Sequence, residues 1–311
     1  IVSVFVGEDL QAVIDAIVEG TAYKGAVRGK MNLGVPSVPT FTKDTTDRNR
    51  TSPFAFTGNK FEFRMPGSSQ NIALPNTVLN TAVAESFRQF ADILEKAPDF
   101  DAALTALIRD TLKAHGRIIF NGNGYSPEWE AEAARRGLSN LRDSVSAYAV
   151  LSEEKNIRLF ADHLVMSRAE MVSRQEILYE NYAKVINIEA QTMLEMVQKD
   201  IIPAVNKYIG ELAATAAAKT TVVKSADVTA ETDLITRLSA LVGGSYRIAA
   251  ALRAADAAAR ALPAGRESAT AFRDRVLPAM RELRKQVDEM ETLTATEYWP
   301  MPTYGDLMFR V

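Results

Sequence analysis

Lys60, Glu62 and Arg64 alternate with Phe61, Phe63 and Met65 in one short run, and Arg48 and Arg50 stand upstream of it in DRNRTS. A period of two places the three charged residues on one face of a strand and the apolar ones on the other. A carboxylate can hold a hard cation, and guanidinium forks grip phosphate or carboxylate in bidentate fashion. Such a face could bind a Mg-nucleotide and an acidic substrate together. The competing reading is a solvated face laced by a cross-strand ion-pair ladder, and charge networks of that kind are commoner than sites. The alternation predicts that Phe61 and Phe63 are buried, while the charged trio faces a concave surface also reached by Arg50.

Other candidates are poorer. His115 and His163 each lack a second ligand at a helical spacing and read as structural residues. Met193, Met196, Met280 and Met290 read as core or interface fillers. The NGNGYS loop lacks the lysine of a phosphate-binding loop and follows no clear strand, so it reads as a turn. With no cysteine, disulfides, thiolate nucleophiles and Cys-based zinc sites are excluded. Any metal site must rest on carboxylates, which suit Mg²⁺ or Mn²⁺. The net charge of −3 comes from interspersed acidic and basic residues, which gives no field drawing the chain to nucleic acid or an anionic membrane.

FEFRM needs a partner strand, and Thr57-Gly58-Asn59 sits where a hairpin turn belongs. The opening IVSVFVG is too short for a membrane span and reads as a buried strand, followed by a helix from Asp9 to about Glu19. Beginning without Met inside a strand-like run, it is expected to be a truncated start. Gly and Pro punctuate the loop GKMNLGVPSVPT. After Pro75-Asn76, Leu79, Val83, Phe87, Phe90 and Leu94 mark an amphipathic helix. Another is expected over Ala102 to His115, and a short one over Pro127 to Arg136.

From about Arg174 the pattern is helical throughout. Leu178, Tyr182, Val185, Ile188, Met193 and Met196 form one stripe, with Pro203 a kink site. Leu234, Leu238, Leu241, Ser245, Ile248 and Leu252 form a second, and Phe272, Val276, Ala279, Leu283, Val287 and Met290 a third. The three long helices are expected to pack together. The alanine-rich AALRAADAAARALP is a strong helix former.

The run RNRTSPFAFTGNKFEFRMPGSS resembles the type III glutamine synthetases, and NGNGYS, ENYAKVINIEAQTM, KDIIPAV and WPMPTYGDLMF agree in order along the rest of the chain. The resemblance implies an α+β fold: residues 1–115 as the C-terminal portion of the catalytic domain, with short antiparallel strands plus helices, and 116–311 as the mainly α-helical bundle extension of the third type. It implies an ATP-dependent glutamate–ammonia ligase working through a glutamyl phosphate, with Mg²⁺ or Mn²⁺ as cofactor, ATP as co-substrate, and a cytoplasmic homo-oligomer resembling a dodecamer. No nucleic-acid or membrane partner is expected.

Carried over by position, Arg50 in the N-R-[ST] element would be catalytic, touching the γ-phosphate and the phosphorylated intermediate. Lys60 would lie near the nucleotide phosphates, Glu62 would be a metal ligand, and Arg64 would pair with the carboxylate of glutamate. The sequence departs from the better-known bacterial type at Ala55, where that type has a nucleotide-contacting arginine. The family's remaining metal-binding glutamates, nucleotide-binding histidine, ammonium-site aspartate and flap glutamate precede the matching stretch. The chain alone is therefore expected to be inactive. The alternative is a non-catalytic helical scaffold or assembly protein, and the upstream reading frame discriminates between the two.

Overall fold

A computed structural model describes residues 1–23, 25, 30–31, 41–42, 50–65, 67 and 70–309. Arg48 and most of the Gly/Pro loop lie outside them. The architecture is α+β. In chain order the elements are β1 (Val4–Phe5), α1 (Gly7–Glu19), β2 (Lys30–Met31), β3 (Phe41–Thr42), β4 (Phe54–Phe56), β5 (Phe61–Phe63), α2 (Ala73–Leu94), α3 (Phe100–His115), α4 (Pro127–Arg135), α5 (Ser144–Ala149), α6 (Glu154–Asp162), α7 (Arg168–Met196), α8 (Ile202–Val222), α9 (Thr229–Arg260), α10 (Arg266–Ala271), α11 (Leu277–Leu293) and α12 (Tyr304–Phe309). They form two compact units, Ile1–Arg142 with Glu154–Ser167, and Asp143–Glu153 with Arg168–Val311. The boundary at 115/116 implied by the resemblance concerns descent, which compactness does not decide.

In the first unit β4 is the middle strand of a mixed sheet, parallel to β1 and antiparallel to β5; β2 and β3 form an antiparallel pair. The opening apolar run supplies only a two-residue strand, because Asn121 Oδ1 accepts the N–H groups of Val6 and Gly7 and α1 begins there. Helix starts follow local chemistry. Asp99 accepts from Ala102 N–H to begin α3, and Ser126 accepts from Trp129 N–H to begin α4, with Pro127 in the first turn. Trp129 is buried and stacks on Phe120 at 3.9 Å between ring centroids, a contact worth about 1 kcal/mol beyond the area it buries. On α2 the expected stripe does not form a buried face: Val83 and Phe87 are exposed, and only Thr81 is buried.

In the second unit α7, α9 and α11 pack together, as expected for the three long helices, and α9 packs against α8 as well. The buried positions of α9 include Leu238, Leu241, Ser245, Ala249 and Leu252, close to the reading from the sequence. The stripe on α7 is corrected. Val185 and Ile188 are exposed, and the buried positions are Met171, Gln175, Tyr179, Ile186, Ala190 and Leu194. Gln175 and Ala190 carry no hydrophobic signal, and this hid the true face. Pro203 does not break the rod. A wide π-type turn over Val197–Ile201 precedes it, and Ile202 N–H donates to the Val197 carbonyl five residues back. A second such turn, Phe272–Val276, precedes Pro278 in the same way.

Candidate functional site

The hairpin β4–β5 carries the charged trio. Its loop closes through Thr57 N–H donating to the Lys60 carbonyl at 2.8 Å, while Gly58 adopts φ 97°, which glycine tolerates without a Cβ clash. The turn read at Thr57-Gly58-Asn59 is therefore present. Register sets Glu62 opposite Ala55, with Phe61 opposite Phe56 and Phe63 opposite Phe54.

Lys60 Nζ lies 3.2 Å from Glu62 Oε1, and Arg64 donates to Glu62 Oε2 from Nε at 3.1 Å and from Nη2 at 3.0 Å. The three side chains share one side of the strand, as the alternation requires. The hydrogen bond from Lys60, and then that from Arg64, hold the Glu62 carboxyl below the ordinary glutamate value. Lys60 is largely exposed and Arg64 mostly covered, with Glu62 between them.

The expected burial of Phe61 and Phe63 is overturned, for they are 51% and 37% exposed. These rings pack against their cross-strand neighbours instead: Phe54 stacks on Phe61 at 5.7 Å and meets Phe63 edge-on at 6.1 Å. Ala55, on the face of Glu62, is fully buried. Alternation sorts side chains into two faces, but what covers each face comes from residues distant in sequence.

Arg50 is exposed and has φ 56°, a left-handed conformation uncommon for a residue with a Cβ. Three residues later, the Pro53 carbonyl accepts Arg64 N–H at 2.7 Å. Arg50 thus lies within roughly 10 Å of chain from the backbone partner of Arg64. Ser52 is buried, and its Oγ donates to the Phe54 carbonyl at 3.1 Å.

A hard cation takes six or more oxygen ligands in well-formed sites. Glu62 can contribute one carboxylate, and both its oxygens are engaged by cationic side chains. Among the described residues no group of three acidic or histidine side chains is placed to hold a metal. These residues do not make a metal site by themselves. His163 pairs with Glu85, Nε2 to Oε2 at 2.8 Å, in a local network with Arg88, and Met280 and Met290 are buried in the helical core.

The role of the NGNGYS loop was not legible in the sequence. Asn121 binds the start of α1 and, through Nδ2, Gln11 Oε1 at 3.0 Å. Gly124 N–H donates to the Thr51 carbonyl at 2.7 Å, beside Arg50. The Asn-Gly pairs signal a turn, but the contacts lie over 70 residues away in the chain, where local chemistry gives no sign of them.

Residues 103–220 match the glutamine synthetase C-terminal domain. Over 99% of its length the chain is 36% identical to a type-3 glutamine synthetase of Dictyostelium discoideum, covering 43% of that protein. It is also 36% identical to a glutamine synthetase of Butyrivibrio fibrisolvens and 31% identical to one of Bacteroides fragilis, covering 44% of each. The chain is related to the type III glutamine synthetases. It spans less than half the length of these glutamine synthetases. The domain match contains the Asn121–Ser126 loop, while the hairpin precedes it. Among the described residues no helix is long and apolar enough to cross a membrane.

Proposed function

We propose that this chain is the C-terminal part of a glutamine synthetase, contributing Arg50, Lys60, Glu62 and Arg64 to a site that uses ATP to convert glutamate and ammonia into glutamine. The observation that carries this reading is similarity over 99% of the chain to proteins named glutamine synthetase. The bond from Arg64 N–H to the carbonyl of Pro53, three residues after Arg50, supports it.

In this reading Arg64 pairs with the substrate carboxylate. Its guanidinium is held along one edge by Glu62 and is mostly covered, so it is oriented before substrate arrives. Lys60, exposed at the hairpin end, neutralises nucleotide phosphate, and Arg50 stabilises charge on the phosphoryl group in transfer. The side-chain carboxylate of glutamate attacks the γ-phosphorus of ATP and ADP leaves; ammonia then attacks the carbonyl of the acyl phosphate, and the amide forms as inorganic phosphate departs and a proton is released. Glu62 would supply one ligand to Mg²⁺ or Mn²⁺, which provides charge neutralisation when bound, with the remaining ligands contributed by other parts of the protein. The longer protein would work as a cytoplasmic homo-oligomer, with a dodecamer implied by the resemblance.

The test is Glu62→Ala in the full-length protein, assayed for glutamine formation from ATP, glutamate and ammonium, with circular dichroism to establish folding. Loss of most activity with the fold intact is expected. Near-normal turnover at ordinary magnesium concentrations overturns the assignment of Glu62.

A further inference from the structure

We propose that Gly124 is a positioning residue for Arg50: the Asn121–Ser126 loop fixes the Thr51 backbone, and with it the place from which the Arg50 side chain reaches the site. The inference rests on the synthetase reading of Arg50 and goes beyond it by assigning a role to a loop some 70 residues downstream.

Arg50 is left-handed at φ 56°. For a residue with a Cβ this conformation costs on the order of 1–2 kcal/mol and persists only where neighbours hold it. The neighbouring hold is specific. Thr51 presents its carbonyl to Gly124 N–H at 2.7 Å, and Ser52, next along, is buried with its Oγ tied to Phe54.

Gly124 is required by this approach. A Cβ built there would lie 2.8 Å from the Thr51 carbonyl oxygen and 3.5 Å from Pro53 Cδ. The close atom belongs to backbone and cannot rotate aside, so an added methyl must part the two segments.

The loop side of the contact is well anchored. Asn121 Oδ1 accepts the Val6 and Gly7 N–H groups at 3.0 and 2.9 Å. Phe120 N–H donates to the Val4 carbonyl at 2.9 Å, and the Phe120 ring stacks on buried Trp129. Asn123 Oδ1 accepts Tyr125 N–H, and Ser126 caps α4. Thr51 is followed by buried Ser52 but preceded by exposed Arg50, so strain introduced at Gly124 is expected to pass to the Arg50 side. A displacement of about 1 Å at a group acting in the transition state can cost roughly 100-fold in rate.

The test is a double-mutant cycle in the full-length protein, measuring kcat and the KM for glutamate in the wild type, Gly124→Ala, Arg50→Ala and the double variant. Gly124→Ala is expected to lower kcat about 10- to 100-fold with KM for glutamate changed less than about twofold. In the Arg50→Ala background the same substitution should cost less than about twofold, because its effect passes through Arg50. Equal losses in the two backgrounds would reduce Gly124 to a general structural residue and overturn the inference. Unchanged kcat in Gly124→Ala beside a crippled Arg50→Ala would overturn it while leaving the synthetase reading intact. Full activity in Arg50→Ala would remove the role of Arg50, and this inference with it.

If Gly124→Ala does not fold, Asn123→Ala replaces it in the cycle, since it releases the turn to Tyr125 without adding bulk against Thr51. It should lower kcat about 3- to 10-fold in the wild-type background and less than about twofold with Arg50→Ala. The same loss in both backgrounds, or none in either, counts against the proposal.

Discussion

Glu62 accepts from Lys60 on one oxygen and from Arg64 on the other, and this doubly paired state makes its protonation a direct report on the hairpin. Its carboxyl is held below the ordinary glutamate value, chiefly by Lys60 and then by Arg64. The sign follows: a carboxyl with a depressed folded pKa contributes stability above its unfolded pKa, and this is lost as pH falls through the folded value. Lys60→Ala should therefore move the Glu62 titration upward toward the ordinary value, as followed by carboxyl carbon NMR. No movement would show that Lys60 and Glu62 are not paired in solution. The trio's common face was legible because Lys60, Glu62 and Arg64 obey a period that the strand itself imposes. The exposure of Phe61 and Phe63 was not, because the hairpin cannot report what lies against either side of it.

At the level of elements, side-chain caps join the helices of the second unit. Asp143 accepts from Ser146 N–H and Oγ, both at 2.8 Å, to start α5, and from Arg273 Nη1 at 2.9 Å. Burial works against its charge, but these donors outweigh it and keep the Asp143 carboxyl below the ordinary aspartate value. Asp143→Ala should cost about 1–2 kcal/mol in chemical denaturation, and Asp143→Asn less, since an amide oxygen can still cap. Equal losses in the two variants would show that the ion pair with Arg273, rather than the cap, matters. Long helices such as α9 were readable because apolar side chains repeat over many turns. The face of α7 was not, for Gln175 is buried by donating to the Tyr148 and Ala149 carbonyls, partners that no helical pattern reveals.

At the scale of the whole molecule, the chain lacks a complete reaction centre in the proposed reading. Glu62 is one carboxylate, and no acidic cluster among the described residues completes a cation site. Positioned charge and placement of reactants are each worth several kcal/mol, or roughly 10³-fold or more in rate. These 311 residues alone should show no detectable glutamine synthesis. The measurement is glutamate- and ammonium-dependent phosphate release beside the full-length protein. Turnover within about tenfold of it, a difference of only about 1.4 kcal/mol, would mean that the site is complete in this chain.

The wide turns before Pro203 and Pro278 constrain how the sequence can change in length. Each accommodates one residue more than an α-helical turn of the same rise. Deleting a single residue from Val197–Ile201 would restore the tighter winding and rotate one half of the rod by about 100° against the other. Ile186, Ala190 and Leu194 could then no longer share a buried face with Val205. The connections at 223–228 and 261–265 face no such penalty. Alignments with the relatives extend to 317–323 positions against the 311 residues here, so gaps must exist. In the helical unit those gaps are expected in the connections, with the rods acting as rulers of fixed residue count, and a residue-by-residue alignment with the relatives checks this.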